Sequence, residues 1–133
     1  MIFNNLEEQT EKVEERLMKH QGLCLENDMY MIRAFKSFQE ISDEGKTLKH
    51  AIIHYAVGRY SRGDDYLFAL RPKKKLEIPY ASLEFSRSGD FIMAKKEHNA
   101  NADEKNELEF IERFRTEILL PFIEKENEEN DFV

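Results

Sequence analysis

Apolar positions along this chain follow two different periods, and the change between them marks the elements. Leu6, Val13 and Leu17 recur at helical spacing in a highly charged stretch, which predicts a helix with a narrow apolar stripe. Asn5-Leu-Glu-Glu8 has the shape of a capping box at its start. Gly22 closes it, with Lys19 and His20 in the last turn, where the helix dipole favours cations. Leu23-Cys-Leu25 and Met29-Tyr-Met-Ile-Arg33 then flank Glu-Asn-Asp, the pattern of a short hairpin. Ser37-Phe-Gln-Glu40 is a second capping box, opening a helix over Phe38 and Ile41 that Gly45 stops or turns. From Leu48 onward, positions 48, 51, 52, 55 and 56 share one helical face, which places His50 and His54 together on the opposite side. Gly58 interrupts this pattern at a cost of about 1 kcal/mol relative to Ala.

Past Gly63-Asp-Asp65 the period shortens. Tyr66-Leu-Phe-Ala-Leu70 is nearly all apolar, as an inner strand requires. Pro72-Lys-Lys-Lys75 forms an exposed basic turn, Tyr80–Phe85 alternates as a strand with one covered face, and Arg87-Ser-Gly-Asp90 turns into Phe91–Ala94. Asn101-Ala-Asp-Glu104 starts a last helix whose apolar side is Leu108, Ile111, Phe114, Ile118 and Phe122, and Pro121 is expected to kink or end it. The pattern predicts an α+β domain: an antiparallel β-meander of three or more strands packed on one face by the third and fourth helices, with a peripheral N-terminal helix. Residues 1–22 form that helix, 23–123 the α+β domain, and 124–133 an acidic, aperiodic, frayed tail.

The 133 residues suffice for one core, and ten Phe with five Tyr argue for a folded chain. No apolar run approaches the roughly 18 to 20 residues needed to span a bilayer, no secretory signal is visible, and the single Cys24 provides no disulfide framework. A cytoplasmic protein without membrane contact is expected. The net charge of −7 is unevenly spread: residues 1–45 carry −5, residues 46–100 carry +5 and residues 101–133 carry −7. A basic middle between acidic ends either binds an anionic partner or is neutralised by its own terminal helices.

Several patterns carry chemistry. His50 and His54 have the i, i+4 spacing of two metal ligands, but Ala51 stands where H-E-x-x-H has its Glu, and a third ligand would have to be His98 or a carboxylate such as Glu84. Solvation explains such histidines equally well, so no metal and no cofactor is assigned. Cys24 lacks any nucleophile signature, Ser82 has no G-x-S-x-G elbow, and no phosphate-cradling glycine motif occurs, so no catalytic residue is assigned. Arg59, Arg62, Arg71, Lys73, Lys74, Lys75, Arg87, Lys95 and Lys96 cluster on the third helix and around the strands, with Tyr60 and Tyr66 as stacking surface, a candidate nucleic-acid footprint. The acidic C-terminal helix offers a carboxylate surface for a basic protein instead.

The succession Met31-Ile-Arg-Ala-Phe-Lys-Ser37, Glu44-Gly45, Leu48, His50 and Tyr55, then Leu83-Glu84, resembles the PcfJ-like domain. That family's pattern runs roughly I-R-x-P-K-S, E-G-x-x-L-x-H-C-V-x-x-Y, L-E and Q-x-x-G-x-x-N, and the resemblance covers about residues 15–120. Asn99 falls on the last Asn, while Phe35 replaces the Pro, Ala51 the Cys, Met93 the Gln and Lys96 the Gly. The resemblance implies a setting on conjugative plasmids, phages and other bacterial mobile elements. A member without the motif thiol has lost half of any His-Cys pair. The expectation is a non-enzymatic binding module contacting nucleic acid or a nucleic-acid-processing protein of the host or mobile element. The alternatives are an anti-defence inhibitor of the anti-CRISPR type, acting through its acidic surface, and a His-centred hydrolase or metal site.

Overall fold

The computed structural model describes residues 2–49 and 52–131, with side chains described for 6–49 and 56–129. Helix α1 (Ile2–His20) leads into β1 (Cys24–Glu26) and β2 (Tyr30–Arg33), then α2 (Phe38–Leu48) and α3 (Ile52–Ser61). Strand β3 (Asp65–Pro72), a 3-10 turn (Lys73–Lys75), β4 (Ala81–Ser86) and β5 (Phe91–Lys95) follow. A second 3-10 turn (Glu97–Asn99) then leads to α4 (Lys105–Phe114), a π turn (Arg115–Leu119) and α5 (Leu120–Asp131). The five strands lie in sequence order, every neighbouring pair antiparallel. The α+β class and the meander are as the sequence predicts, and the N-terminal hairpin extends the sheet to five strands.

Local signals explain most boundaries. Asn27 makes the β1–β2 turn by accepting at Oδ1 from the backbone amides of Met29 and Tyr30, both at 2.8 Å. Ser37 caps α2, accepting at Oγ from Glu40 N at 3.1 Å. The Glu40 carboxylate does not close the box on Ser37. It takes Lys36 N at 2.7 Å and a two-pronged contact from Arg33 at 2.9 and 2.7 Å, fastening the end of β2 to the start of α2. Gly45 neither stops nor turns the helix: it is buried inside α2, which ends at Leu48 with Lys49 in the left-handed region. Helix α1 begins at Ile2, ahead of the expected Asn5 cap, whose side chain lies outside the described residues.

Parity on the strands divides the core in two. Tyr66, Phe68 and Leu70 join Leu83 and Phe85 under Phe110, Ile111, Phe114, Leu119 and Ile123 of the C-terminal helical rod. Leu67 and Ala69 face the other way, onto Ile41, Ala56, Val57 and Tyr60, with Val13 and Leu17 of α1 and with Phe35. Helices three and four therefore lie on opposite faces rather than on one, and this explains why β3 is apolar at successive positions. Helix α1 packs on α3 and α2.

The C-terminal rod departs furthest from the pattern. It does not end at Pro121. The π turn just before it, closed by Leu120 N bonding to Arg115 O, widens the helix where the proline ring would otherwise meet a carbonyl. The extra residue also rotates the buried stripe beyond it, so Leu119 and Ile123 are covered. Leu108, ahead of the turn, lies off the α4 face of Glu107, Phe110, Ile111 and Phe114 and is exposed. The helix continues to Asp131, so residues 124–131 are helical rather than frayed. Gly89, in the β4–β5 turn, closes against this rod: it has φ +92, and a Cβ there would lie 2.5 Å from Leu120 Cδ2 and 3.1 Å from Ile123 Cδ1. Gly89→Ala is expected to destabilise the fold by about 2 kcal/mol or more, read as a lower urea midpoint with unchanged slope.

Candidate functional site: a buried polar seam

On the face of the sheet covered by α2 and α3, the same parity that buries Leu67 and Ala69 also buries Asp65 and Arg71 on β3, and Ser82 and Glu84 on β4. Each needs a partner away from water. Arg71, 2 % exposed, donates through Nη1 to Glu44 Oε2 at 3.0 Å and to the Leu70 carbonyl at 3.1 Å. Its Nη2 donates to Glu44 Oε1. Ser82 Oγ completes the group with a 3.1 Å bond to Glu44 Oε2. Burial raises the Glu44 carboxyl above its ordinary value, and the bonds from Arg71 and then Ser82 pull it back. The pair ties α2 to the central strand.

A second group occupies the other end of the seam. Arg59 of α3 donates to Glu84 Oε2 from Nε at 3.1 Å and from Nη2 at 2.8 Å, and lies 3.7 Å from Asp65 Oδ2. Both Asp65 oxygens and Glu84 Oε1 are buried without a conventional donor. A proton retained by Asp65 and shared with Glu84 resolves this, because a protonated carboxyl donates. Burial, then the hydrogen bond to Glu84 and its charge, push Asp65 up to about 9.

Beside the seam, Arg16 of α1 lies 4.4 Å from the Tyr60 ring centroid and 5.2 Å from that of Tyr66, donating to the Asp65 carbonyl at 2.9 Å and to the Tyr60 carbonyl. His20, fully buried, contacts Tyr60 Oη through Nδ1 at 2.7 Å. Burial first, then the charges of Arg16 and Lys19, lower its pKa to about 3, so it is neutral at ordinary pH. Tyr60 and Tyr66 are buried rather than open stacking platforms; burial raises both phenols, that of Tyr66 to about 12.

Two motif residues, Glu44 and Glu84, lie in this seam. They are its two anions, while Leu48 is buried at the end of α2 and Gly45 within that helix. Asn99 is exposed, at φ 65 in the second 3-10 turn, which contacts α2. Met93, at the position of the family Gln, pairs with Glu84 across β4–β5. His50 and Ala51 lie outside the described residues, as do the side chains of His54 and Tyr55. No group of three metal-ligating side chains forms among the described residues. Cys24 is exposed on β1, and burial and Glu26 raise its thiol pKa, which disfavours the thiolate.

The nine basic residues do not form one footprint. Arg71 is interior, Arg59 is engaged by Glu84, Arg62 pairs with Asp64, Lys73 with Glu26 and Lys96 with the buried Glu107. Lys95 bonds Asn101. Lys74, Lys75 and Arg87 remain on turns at the surface. Sequence reasoning missed Arg16, Lys19, His20 and Asp65; the parity of Asp65 with Leu67 on an inner strand was the available signal.

The family model described as PcfJ-like protein matches residues 2–110, from α1 into α4. No curated protein and no solved structure matches the chain.

Two outcomes test the seam. Glu44→Ala is expected to cost about 3 to 5 kcal/mol by leaving Arg71 charged and unpaired, while Glu44→Leu combined with Arg71→Met recovers most of it in urea melts. Asp65, with a folded pKa above its unfolded value, binds a proton that the unfolded chain releases, so stability falls as pH rises from about 4 to about 9. His20, lowered, gives the opposite slope below 6.5. Stability is therefore expected to be nearly level from pH 4 to 6.5, then to fall by up to about 1.4 kcal/mol per unit, and Asp65→Asn should remove the fall.

Proposed function

The chain belongs to the PcfJ-like protein family, and from that premise we propose that it is a non-enzymatic binding module of a bacterial mobile element, contacting nucleic acid or a protein that processes it. The supporting observation is where the motif carboxylates are used. Glu44 and Glu84 are closed off from solvent and held by Arg71 and Arg59, so they brace the sheet instead of facing a substrate. Recognition then falls to the surface, where Lys74, Lys75 and Arg87 stand on the turns beside β3 and β4.

A second reading rests on α5. Its ordered course to Asp131 displays Glu124, Glu128 and Glu129 with Lys125 as the one cation in its sequence, a surface suited to a basic protein such as a host nuclease. An anti-defence inhibitor would use that face.

One set of columns separates the two. Retention on duplex DNA or heparin at low salt should weaken steeply as salt rises, and Lys74→Gln with Lys75→Gln should lower the slope of log affinity against log salt by about 0.9 for each phosphate left without its lysine. No retention at low salt, with co-purification of a CRISPR nuclease from co-expressing cells, would instead establish the second reading.

A further inference from the structure

We propose that a cleft between α1, the β4–β5 turn and α5 is a binding site for an oxyanion of the phosphate class. Its lining includes Arg16, Lys19, His20, Tyr66, Arg87 and Glu126, and its volume is about 180 Å³. This exceeds several water molecules yet falls below the roughly 300 Å³ at which sites for drug-sized ligands begin. A phosphate group fits. A nucleoside does not, so the group would project inward from a molecule held at the mouth.

The charge of the lining selects an anion. Three cations face one carboxylate, in a chain whose net charge is −7. Elsewhere in the fold arginines are matched to acids, as Arg33 is to Glu40, Arg59 to Glu84 and Arg71 to Glu44. Among the described residues, Arg16, Lys19 and Arg87 have no such acid partner. Glu126 is instead taken by the Tyr66 hydroxyl, which donates to it at 3.2 Å.

Arg16 is also fixed in place before anything binds. Two ring faces hold its guanidinium and Nη1 is spent on two backbone carbonyls, both neutral, so its positive charge is undiminished. Guanidinium planes suit phosphate oxygens, and a donor already immobilised loses little entropy on binding. Lys19 and Arg87 are exposed at the rim and supply mobile charge. Buried His20 forms the neutral wall, its ring near both tyrosines.

Phosphate recognition in this cleft rests on the nucleic-acid reading above and deepens it, naming the group that is recognised and locating it away from the basic 3-10 turn. The probes are sodium phosphate, added at constant ionic strength, and oligothymidylate with or without a 5′-phosphate. The readout is the assigned ring resonances of His20 in the full chain. A saturable shift with millimolar phosphate is expected, weakened about tenfold by Arg87→Gln or Lys19→Gln and unchanged in Lys74→Gln/Lys75→Gln. Both cleft substitutions are at exposed positions, so the fold survives them. Tighter binding of the phosphorylated oligonucleotide identifies a nucleic-acid end as the source. A phosphate shift without oligonucleotide binding upholds the cleft and removes nucleic acid as its ligand. Absence of a saturable shift, or an equal weakening in the lysine-turn variant, overturns the cleft; oligonucleotide retention that survives both cleft substitutions would then leave the wider reading standing.

Discussion

The interaction on which the rest depends is the buried pair between Arg71 and Glu44. β3 is the middle strand of five and is covered on both faces, so a guanidinium at its C-terminal end must be neutralised inside the protein. α2 brings the required anion, and it does so because Ser37 and Glu40 fix where the helix begins. Starting α2 one residue earlier or later would rotate Glu44 by about 100° off the strand and leave two buried charges unpaired. The pair thereby fixes the register of a helix more sharply than apolar contacts do, since those tolerate sliding.

The second group of the seam follows the same logic from α3. Glu84 is held by Arg59, and the adjacent Asp65 is accommodated by keeping its proton. The anions of the E-G and L-E motifs, Glu44 on α2 and Glu84 on β4, thus belong to one buried layer although α3 and β3 separate them in sequence. A family pattern built on such residues preserves a fold and says little about what the surface meets.

Much of the fold was legible because its signals are local. The cap at Ser37, the Asn27 turn and the uninterrupted apolar run of β3 each lie within a few residues and yield the element directly. What the sequence hid depends on distance or on a shift of phase. Arg71 and Glu44 are 27 residues apart, so Arg71 looked like part of a basic surface. Its parity with Leu67 and Ala69 on a doubly covered strand was the clue that it points inward. The π turn at Arg115–Leu119 inserts a residue's worth of rotation, so a stripe read at constant period runs on to Ile118 and Phe122 where the structure buries Leu119 and Ile123, and it treats Pro121 as a terminator.

Charge was the least legible quantity, for a reason that bears on function. A sequence count treats every cation alike, but this fold removes a specific subset from the surface. Arg33, Arg59, Arg71 and Lys96 are committed to Glu40, Glu84, Glu44 and Glu107. Within residues 46–100, Arg71 and Lys96 are neutralised by acids of α2 and α4, and Arg59 by Glu84 of β4. What a partner meets is the remainder, and the remainder is not random. Arg16 is held by ring faces and carbonyls instead of an acid, and Lys19 and Arg87 share its cleft. A fold that matches its buried arginines to acids while leaving three cations together in one polar recess concentrates positive potential there, in a chain whose net charge is −7.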